Sequence, residues 1–177
     1  INTFSQIKED VYCLDKETIE SITIFSNPTF NLSTNINQTN LGVYESIPTL
    51  NGTKKEKEVI KQLFLRNGYE IKDYNKSEAS EKNFKKIALN NILHIATHGY
   101  YFNEFDHNKI FNNKSNLVVN PYLLSGILLS GAENTLNGNN SLEEDGWLTG
   151  LELQSIDFSN TNLIILSACE TLVGETE

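Results

Sequence analysis

The sequence predicts an α/β fold in which helices flank a doubly wound, mostly parallel sheet that also carries a small hairpin. Short apolar runs rich in β-branched residues alternate along the chain with segments of helical periodicity. Strands that alternate with helices pair in parallel through right-handed crossovers, which produces this class of sheet. The length of 177 residues and the hydrophobic content of 38% are enough for one domain with a substantial core.

The first half of the chain is predicted to contain two strands, each followed by a helix. Residues 21–26 are apolar and β-branched and end at an Asn-Pro pair, which is typical of a buried strand that runs into a turn. Residues 53–56 match a capping box and open an amphipathic helix. Residues 69–74 alternate as an edge strand does, and Ser77 is the predicted cap of a second helix.

The second half is predicted to contain two more strands, a hairpin and a short helix. In order, these are a strand at 92–99, a long polar loop at 103–122, a hairpin of 126–131 with 145–148 around a turn at 137–138, a capping-box helix from Thr149, and a strand at 163–171.

Two of these strands each carry one reactive side chain near the carboxyl end, His98 in ILHIATHG and Cys169 in LIILSACET. If the strands are neighbours, the imidazole and the thiol meet in the crevice beyond the carboxyl ends of the sheet, where ligands bind. They are the base and the nucleophile that covalent acyl transfer requires. Gly99 lets a backbone N–H approach a ligand, and with the Cys169 N–H it is predicted to hold the oxyanion. The sequence therefore predicts a cysteine peptidase, which needs no cofactor and no metal.

The chain resembles the CHAT domains, caspase-like peptidases of clan CD that often follow TPR repeats. The resemblance rests on SITIFSNPTF, the helix from Thr53, ILHIATHG, DGWLTGLEL and LIILSACET, which together span most of the chain in the right order. It implies a caspase-like sheet, a His98/Cys169 dyad and Gly99 in the oxyanion hole. It also implies a bacterial protein with protein or peptide substrates and with upstream TPR repeats as partners.

The chain departs from the family pattern after the cysteine strand, where CHAT domains normally continue with helices and strands that complete the sheet. We therefore interpret residues 1–177 as the N-terminal, large-subunit portion of the domain, with both catalytic residues and an incomplete sheet. Two explanations stay open. The chain is either truncated, or it is a subunit left by caspase-like processing, with a C-terminal complementing fragment of the same precursor as its partner. The processed subunit is the favoured one.

Substrate specificity is predicted from the residue two positions before the cysteine. In caspases and metacaspases this residue lines the pocket for the side chain that precedes the scissile bond, as an amide or a carboxylate. Here it is Ser167, which supplies no charge. A preference for basic side chains would then depend on a nearby acid, for which Asp145, Glu143 and Glu144 are candidates. Ser167 and Asp145 are the predicted substrate-binding residues.

Three other functions compete with proteolysis. A catalytically silent regulatory or interaction module of caspase-like shape would also fit an incomplete sheet. A nucleotide-binding domain is disfavoured because no Gly-rich phosphate loop follows the first strand. A zinc site at His94 and His98 is disfavoured because Ile95 stands where the zincin motif has glutamate, and because four residues of a strand span about 13 Å.

Charge, hydropathy and cysteine content indicate which partners and which cellular compartment to expect. The formal net charge is −9 and Arg66 is the single arginine, so nucleic acid is not an expected partner. No apolar run has the length of a membrane span and no signal peptide is recognisable, so no membrane partner is expected. Cys13 and Cys169 offer no disulfide framework, which favours a reducing compartment. The expected location is the cytoplasm.

Overall fold

The computed structural model of the chain describes residues 19–32, 46–86, 91–103, 107–108, 120–136 and 144–173, the last five by their backbone. In chain order, the described elements are β1 (Ser21–Pro28), α1 (Asn51–Arg66), β2 (Glu70–Lys76), α2 (Glu81–Lys86), β3 (Ile92–Tyr101), β4 (Ser125–Leu128), α3 (Ala132–Leu136), β5 (Trp147–Thr149), α4 (Gly150–Leu153) and β6 (Leu163–Val173), with a turn of 3-10 helix at Pro121–Leu123. The predicted turn at 137–138 and the candidate Glu143 lie outside the described residues. None of the described helices combines the length and the apolar character that crossing a membrane requires.

The strands form one mixed sheet whose parallel part has the order β2-β1-β3-β6. β4 pairs antiparallel with the last residues of β3, past the point where β1 ends, and β5 pairs antiparallel with β4. The predicted fold class, a mostly parallel sheet with a small hairpin, is therefore confirmed. The chain leaves β1 toward β2 and then crosses to β3 on the opposite side, so the loops after β1 and β3 diverge at the centre of the sheet. This divergence is the switch point at which α/β sheets bind ligands.

Helices cover both faces of the parallel strands. On one face, α1 packs over a small buried cluster of the central strands, formed by Ile22, Ile24 and Ile92 with Ile60 and Phe64 of the helix. On the other face, α2 and α4 pack on a larger cluster that includes Phe25, Leu93, Ile95, Phe84 and Leu153. Crossovers on opposite faces are what a doubly wound sheet requires.

A third cluster, the Trp147 cluster, lies where the hairpin joins the carboxyl end of β3. The rings of Trp147 and Tyr100 meet edge to face with centroids 4.8 Å apart, and the indole N–H donates to the Ala132 carbonyl at 2.8 Å. Phe30 and Ile47, from the loops after β1 and before α1, are buried in the same cluster. The cluster therefore holds two loops against the end of β3.

One of the predicted capping boxes is confirmed and one is wrong. The Thr149 hydroxyl accepts from the Glu152 N–H at 3.2 Å, and the Glu152 carboxylate accepts from the Thr149 N–H at 2.9 Å, as a capping box requires. The box at the start of α1 does not form, because the helix begins at Asn51. There the Thr53 hydroxyl lies within the first turn and donates to the Leu50 carbonyl at 2.9 Å.

The predicted cap of α2 is also misplaced. Residues 77–80 form a turn after Lys76, whose φ of +52° reverses the chain, and α2 begins at Glu81. Ser80 takes the role assigned to Ser77, since its hydroxyl accepts from the Asn83 N–H at 3.3 Å.

β6 is not the buried strand that its apolar run predicts. Residues 163–166 (Leu-Ile-Ile-Leu) are 38 to 57% exposed. Because successive side chains of a strand point to opposite faces, neither face of β6 is covered at residues 163–166 by the described residues. One edge of β6 pairs with β3, and its other edge has no partner strand in the described part of the chain. The sheet is incomplete at this edge, as predicted.

Glu81 links α2 to the hairpin through a buried carboxylate. Its side chain is 2% exposed, pairs with the Lys85 ammonium, and accepts from the Gly146 N–H at 3.0 Å. Lys85 also pairs with Glu152 at 2.9 Å. Burial raises the pKa of the Glu81 carboxyl from its ordinary 4.5 to about 7, although Lys85 and the Gly146 N–H favour the ionised form.

The raised pKa of Glu81 makes stability depend on pH. Between pH 4.5 and 7 the folded protein keeps the Glu81 proton that the unfolded chain has released, so the free energy of unfolding falls as pH rises through this window. We expect the free energy of unfolding of wild type, relative to that of Glu81→Gln, to fall by about 2 to 3 kcal/mol between pH 5 and pH 8. Urea unfolding of both proteins at the two pH values measures this change. Glu78→Gln, at an exposed position, is the control. A difference between wild type and Glu81→Gln that does not change with pH would contradict the assignment.

Candidate active site

The two strands that carry the predicted dyad are neighbours. β3 and β6 pair in parallel, and His98 is the Cα partner of Cys169. Paired positions on adjacent strands lie about 4.8 Å apart and belong to the same face of the sheet. One pair further along, after Gly99 and Glu170, the register shifts, because Thr171 is an extra residue opposite the step from Gly99 to Tyr100. β-Bulges of this kind are common next to active sites, where they change the direction of the backbone.

Asn91 ties the beginnings of three strands together and so helps to set this register. Its carbonyl accepts from the N–H groups of Asn162 at 2.7 Å and Leu163 at 3.1 Å, where β6 begins. Its side-chain oxygen accepts from the Glu20 N–H at 3.1 Å, just before β1. His98 lies seven residues after Asn91, and Cys169 lies seven residues after Asn162. The contact between Asn91 and Asn162 is therefore consistent with the pairing of His98 with Cys169.

The His98 side chain is 2% exposed, and its contacts include a backbone carbonyl and an aromatic ring. Its Nε2 lies 2.7 Å from the carbonyl oxygen of Pro48, and its ring centroid lies 5.3 Å from that of Phe30. A carbonyl oxygen can only accept, so Nε2 carries the hydrogen. In the neutral ring the lone pair is then on Nδ1, which is the nitrogen that can take up a proton.

The Pro48 carbonyl is held in place by the loop that precedes α1. Ile47 is buried in the Trp147 cluster, and its N–H donates to Glu133 Oε2 at 3.4 Å. The other oxygen of Glu133 accepts from the Asn31 amide at 3.0 Å, so the first turn of α3 joins the loop after β1 to the loop before α1. The proline ring further restricts the backbone at this position. The acceptor for His98 is therefore a backbone group that several elements support.

Ser167 lies on the face of the sheet that α1 covers, and Glu56 of α1 reaches it. The Ser167 hydroxyl donates to Glu56 Oε2 at 3.1 Å. The other carboxylate oxygen lies 3.1 Å from Nε2 of His94, whose side chain is buried. The role of Ser167 in a substrate pocket stays a prediction. The structure adds a carboxylate directly beside it.

Asp145 lies in a different environment. Its carboxylate accepts from the Trp147 N–H at 2.8 Å, and burial raises the pKa of its carboxyl. It lines a cavity of about 380 Å³ together with His107, Leu123, Trp147, Thr149, Leu151 and Glu152. Among the described residues, neither His98 nor Ser167 belongs to this lining. The structure thus does not bring Asp145 together with Ser167, and the binding role of Asp145 stays a prediction.

Gly99 lies in β3 between two strands, with Glu170 of β6 and Ile127 of β4 as its partners. Its backbone is therefore positioned by neighbours on both sides. The assignment of its N–H to an oxyanion hole stays a prediction.

His94 and His98 do not share a site. The Nε2 of His94 is directed to Glu56, and the Nε2 of His98 is directed to the Pro48 carbonyl. Within the ranges that the structure describes, no group of three or more His, Cys, Asp or Glu side chains is arranged to hold a metal ion.

Three contacts of the site were not predicted from the sequence, those of Pro48, Phe30 and Glu56. The Pro48 carbonyl could not be found, since every residue has a backbone carbonyl. The position of Glu56 could have been predicted from helical spacing. It precedes Ile60 and Phe64 at intervals of four residues, so it lies on the face of α1 that packs on the sheet.

Comparison with family models matches almost the whole chain to one family. A family model described as CHAT domain matches residues 3–177, which includes every residue of the candidate site. The comparisons with curated proteins and with solved structures gave no match.

Proposed function

The chain belongs to the CHAT domain family, and on this premise we propose that it is a cysteine endopeptidase that cleaves protein or peptide substrates through a His98/Cys169 dyad. The family is caspase-like, which supports the reaction class. The observation that carries the choice of residues is the pairing of His98 with Cys169 across β3 and β6. This pairing supports a thiol and an imidazole on one face of the sheet, close to its switch point.

In the proposed reaction, Nδ1 of His98 takes the proton of the Cys169 thiol, and the thiolate attacks the peptide carbonyl. The N–H groups of Gly99 and Cys169 stabilise the oxyanion of the tetrahedral intermediate. Protonated His98 then gives its proton to the leaving amine, and a thioester remains on Cys169. His98 next removes a proton from a water molecule, which attacks the thioester, releases the acid and restores the thiol.

The Pro48 carbonyl assists His98 throughout this cycle. It accepts the Nε2 hydrogen at 2.7 Å, which keeps the lone pair on Nδ1 and orients the ring. When the ring becomes an imidazolium, the same carbonyl dipole faces its positive charge and stabilises it. The buried position of His98 makes this backbone contact stronger than it would be in water.

The chain has two cysteines, which gives a matched test of the nucleophile. We expect Cys169→Ala to lower kcat/KM on a cleaved peptide by about 10,000-fold or more, because the thioester can no longer form. The same variant should lose labelling by a thiol-directed peptide electrophile, read by intact mass. Cys13→Ala is the control and should keep both properties. Cleavage or labelling that persists in Cys169→Ala would reject the assignment.

A second candidate function is a catalytically silent regulatory or interaction module, which the uncovered β6 favours. A silent module would fold normally, while its Cys169 would react with the peptide electrophile no faster than a cysteine in an unstructured peptide. The labelling experiment therefore separates the two functions.

We also propose that the free edge of β6 receives a complementing segment of the same precursor. A parallel central strand is normally covered on both faces, whereas Leu163, Ile164, Ile165 and Leu166 leave both faces of β6 apolar and exposed. Such an edge pairs readily with another strand. Charged side chains, which usually protect a free edge, are missing from these four positions.

Hydrogen exchange of β6 tests this proposal in the protein as encoded. In a parallel strand, successive backbone N–H groups point to alternate edges, so a strand with one neighbour protects only half of its amides. We expect all amides of residues 164–168 to be protected to a similar degree, as in β3. Slow exchange that alternates with fast exchange along β6 would contradict a complementing strand.

A further inference from the structure

We propose that Glu56 determines the substrate specificity of this site by presenting its carboxylate to a lysine or arginine side chain that precedes the scissile bond. The inference rests on the proposed peptidase function and deepens it. Three observations carry it: the position of the Glu56 carboxylate beside Ser167, the absence of a lysine or arginine partner among the described residues, and its partial exposure.

The Glu56 carboxylate lies close to the path of the substrate side chain next to the scissile bond. Ser167 precedes Cys169 by two residues, which corresponds to about 7 Å along the strand and to the same face of the sheet. The Ser167 hydroxyl donates to Glu56 Oε2 at 3.1 Å, so the carboxylate is one hydrogen bond away from this position. A peptide held at Cys169 can therefore reach Glu56 with a long side chain, but not with a short one.

Among the residues that the structure describes, no lysine or arginine pairs with the Glu56 carboxylate. No ion pair joins its carboxylate to a basic side chain of the described residues other than His94. Lys57, the next residue along the helix, is directed to Asp73 at 3.5 Å and to Glu58 at 3.5 Å. Within the described ranges, the Glu56 carboxylate is thus open to a cationic group of a substrate.

His94 forms one hydrogen bond with the Glu56 carboxylate. Its Nε2 faces Glu56 Oε1 at 3.1 Å and, because a carboxylate only accepts, Nε2 carries the hydrogen. Its Nδ1 is buried and has no hydrogen-bond partner among the described residues. His94 therefore orients one oxygen of the Glu56 carboxylate, while the other oxygen faces Ser167.

The carboxylate also has acceptor positions to spare. A carboxylate accepts about four hydrogen bonds, and Ser167 and His94 use two of them. The Glu56 side chain is 35% exposed, so an incoming donor can reach the remaining positions. Guanidinium and ammonium groups form the strongest hydrogen bonds to a carboxylate, whereas an acidic side chain would be repelled. The chemical class of substrate that fits is a basic peptide segment.

A pair of peptides that differ only in charge tests the proposal with the protein as encoded. One fluorogenic peptide carries arginine before the scissile bond and the other carries citrulline, which has nearly the same shape but no charge. We expect wild type to prefer the arginine peptide in kcat/KM. Glu56→Gln should lower kcat/KM for the arginine peptide by about 10- to 100-fold, the loss expected for one charge-assisted hydrogen bond. The value for the citrulline peptide should change less than about threefold.

Two further variants exclude a purely structural explanation. Glu58→Gln makes the same chemical change at an exposed position of the same helix and should leave both rates unchanged. Glu56→Asp keeps the charge and should keep a preference for arginine. Equal losses for both peptides in Glu56→Gln would assign Glu56 to the support of His94 and would overturn the proposal, as would an arginine preference that Glu56→Gln leaves intact.

A binding measurement separates this inference from the peptidase function. In Cys169→Ala protein, calorimetry compares the affinity for the arginine and citrulline peptides with and without Glu56→Gln. If no peptide is cleaved by wild type, the proposed function fails, yet tighter binding of arginine that disappears in Glu56→Gln still supports the Glu56 site. Equal binding of the two peptides by the Cys169→Ala protein that retains Glu56 would overturn it.

Discussion

The in-register pairing of β3 with β6 is the constraint on which the candidate site depends. A slip of one residue would move position 169 to the opposite face of the sheet from His98. The register is supported at both ends of the ladder. At the amino end, Asn91 joins the beginnings of β1 and β6 to β3. At the carboxyl end, β4 holds the other side of β3 from Gly99 onward. The backbone position of Cys169 beside His98 therefore depends on hydrogen bonds far from this pair.

The two residues of the proposed dyad differ in how firmly their surroundings hold them. His98 is buried beneath the loops after β1 and before α1, and the Pro48 carbonyl and the Phe30 ring orient it. Cys169 belongs to a strand whose preceding residues are exposed on both faces. Local stability depends on buried apolar contacts, so the strand that carries the thiol is less protected from opening than the strand that carries the imidazole. Covering β6 is thus a physical means by which a partner could control this site.

The sequence predicted the elements whose pattern is local. The buried strand of β1, the edge strand β2 and the capping box at Thr149 each depend on a few consecutive residues. Local patterns also explain why the starts of α1 and α2 were misplaced. Thr53 and Ser77 match the pattern of a helix cap, but the turns before the two helices place the helix starts at Asn51 and Glu81 instead. The exposure of β6 could not be predicted, since an apolar run gives no information about which other segment covers it.

The candidate site was predictable only in part for the same reason. His98 and Cys169 could be identified from their places in two apolar segments and from the resemblance to CHAT domains. Their adjacency depends on strand order, which the sequence leaves open. The Pro48 carbonyl and the Glu56 carboxylate are brought in by loop and helix packing over distances of 50 and 111 residues along the chain, from Pro48 to His98 and from Glu56 to Ser167. No local sequence pattern predicts contacts between residues so far apart in the chain.

The central claim is that the imidazole of His98 acts on the thiol of Cys169. The most direct test is the rate of alkylation of Cys169 by iodoacetamide between pH 5 and 9, in wild type and in His98→Gln. We expect the alkylation rate of wild type to rise with a midpoint well below the ordinary cysteine pKa of about 8.5, and His98→Gln to move this midpoint back toward 8.5. Rate profiles that coincide for the two proteins would contradict the claim.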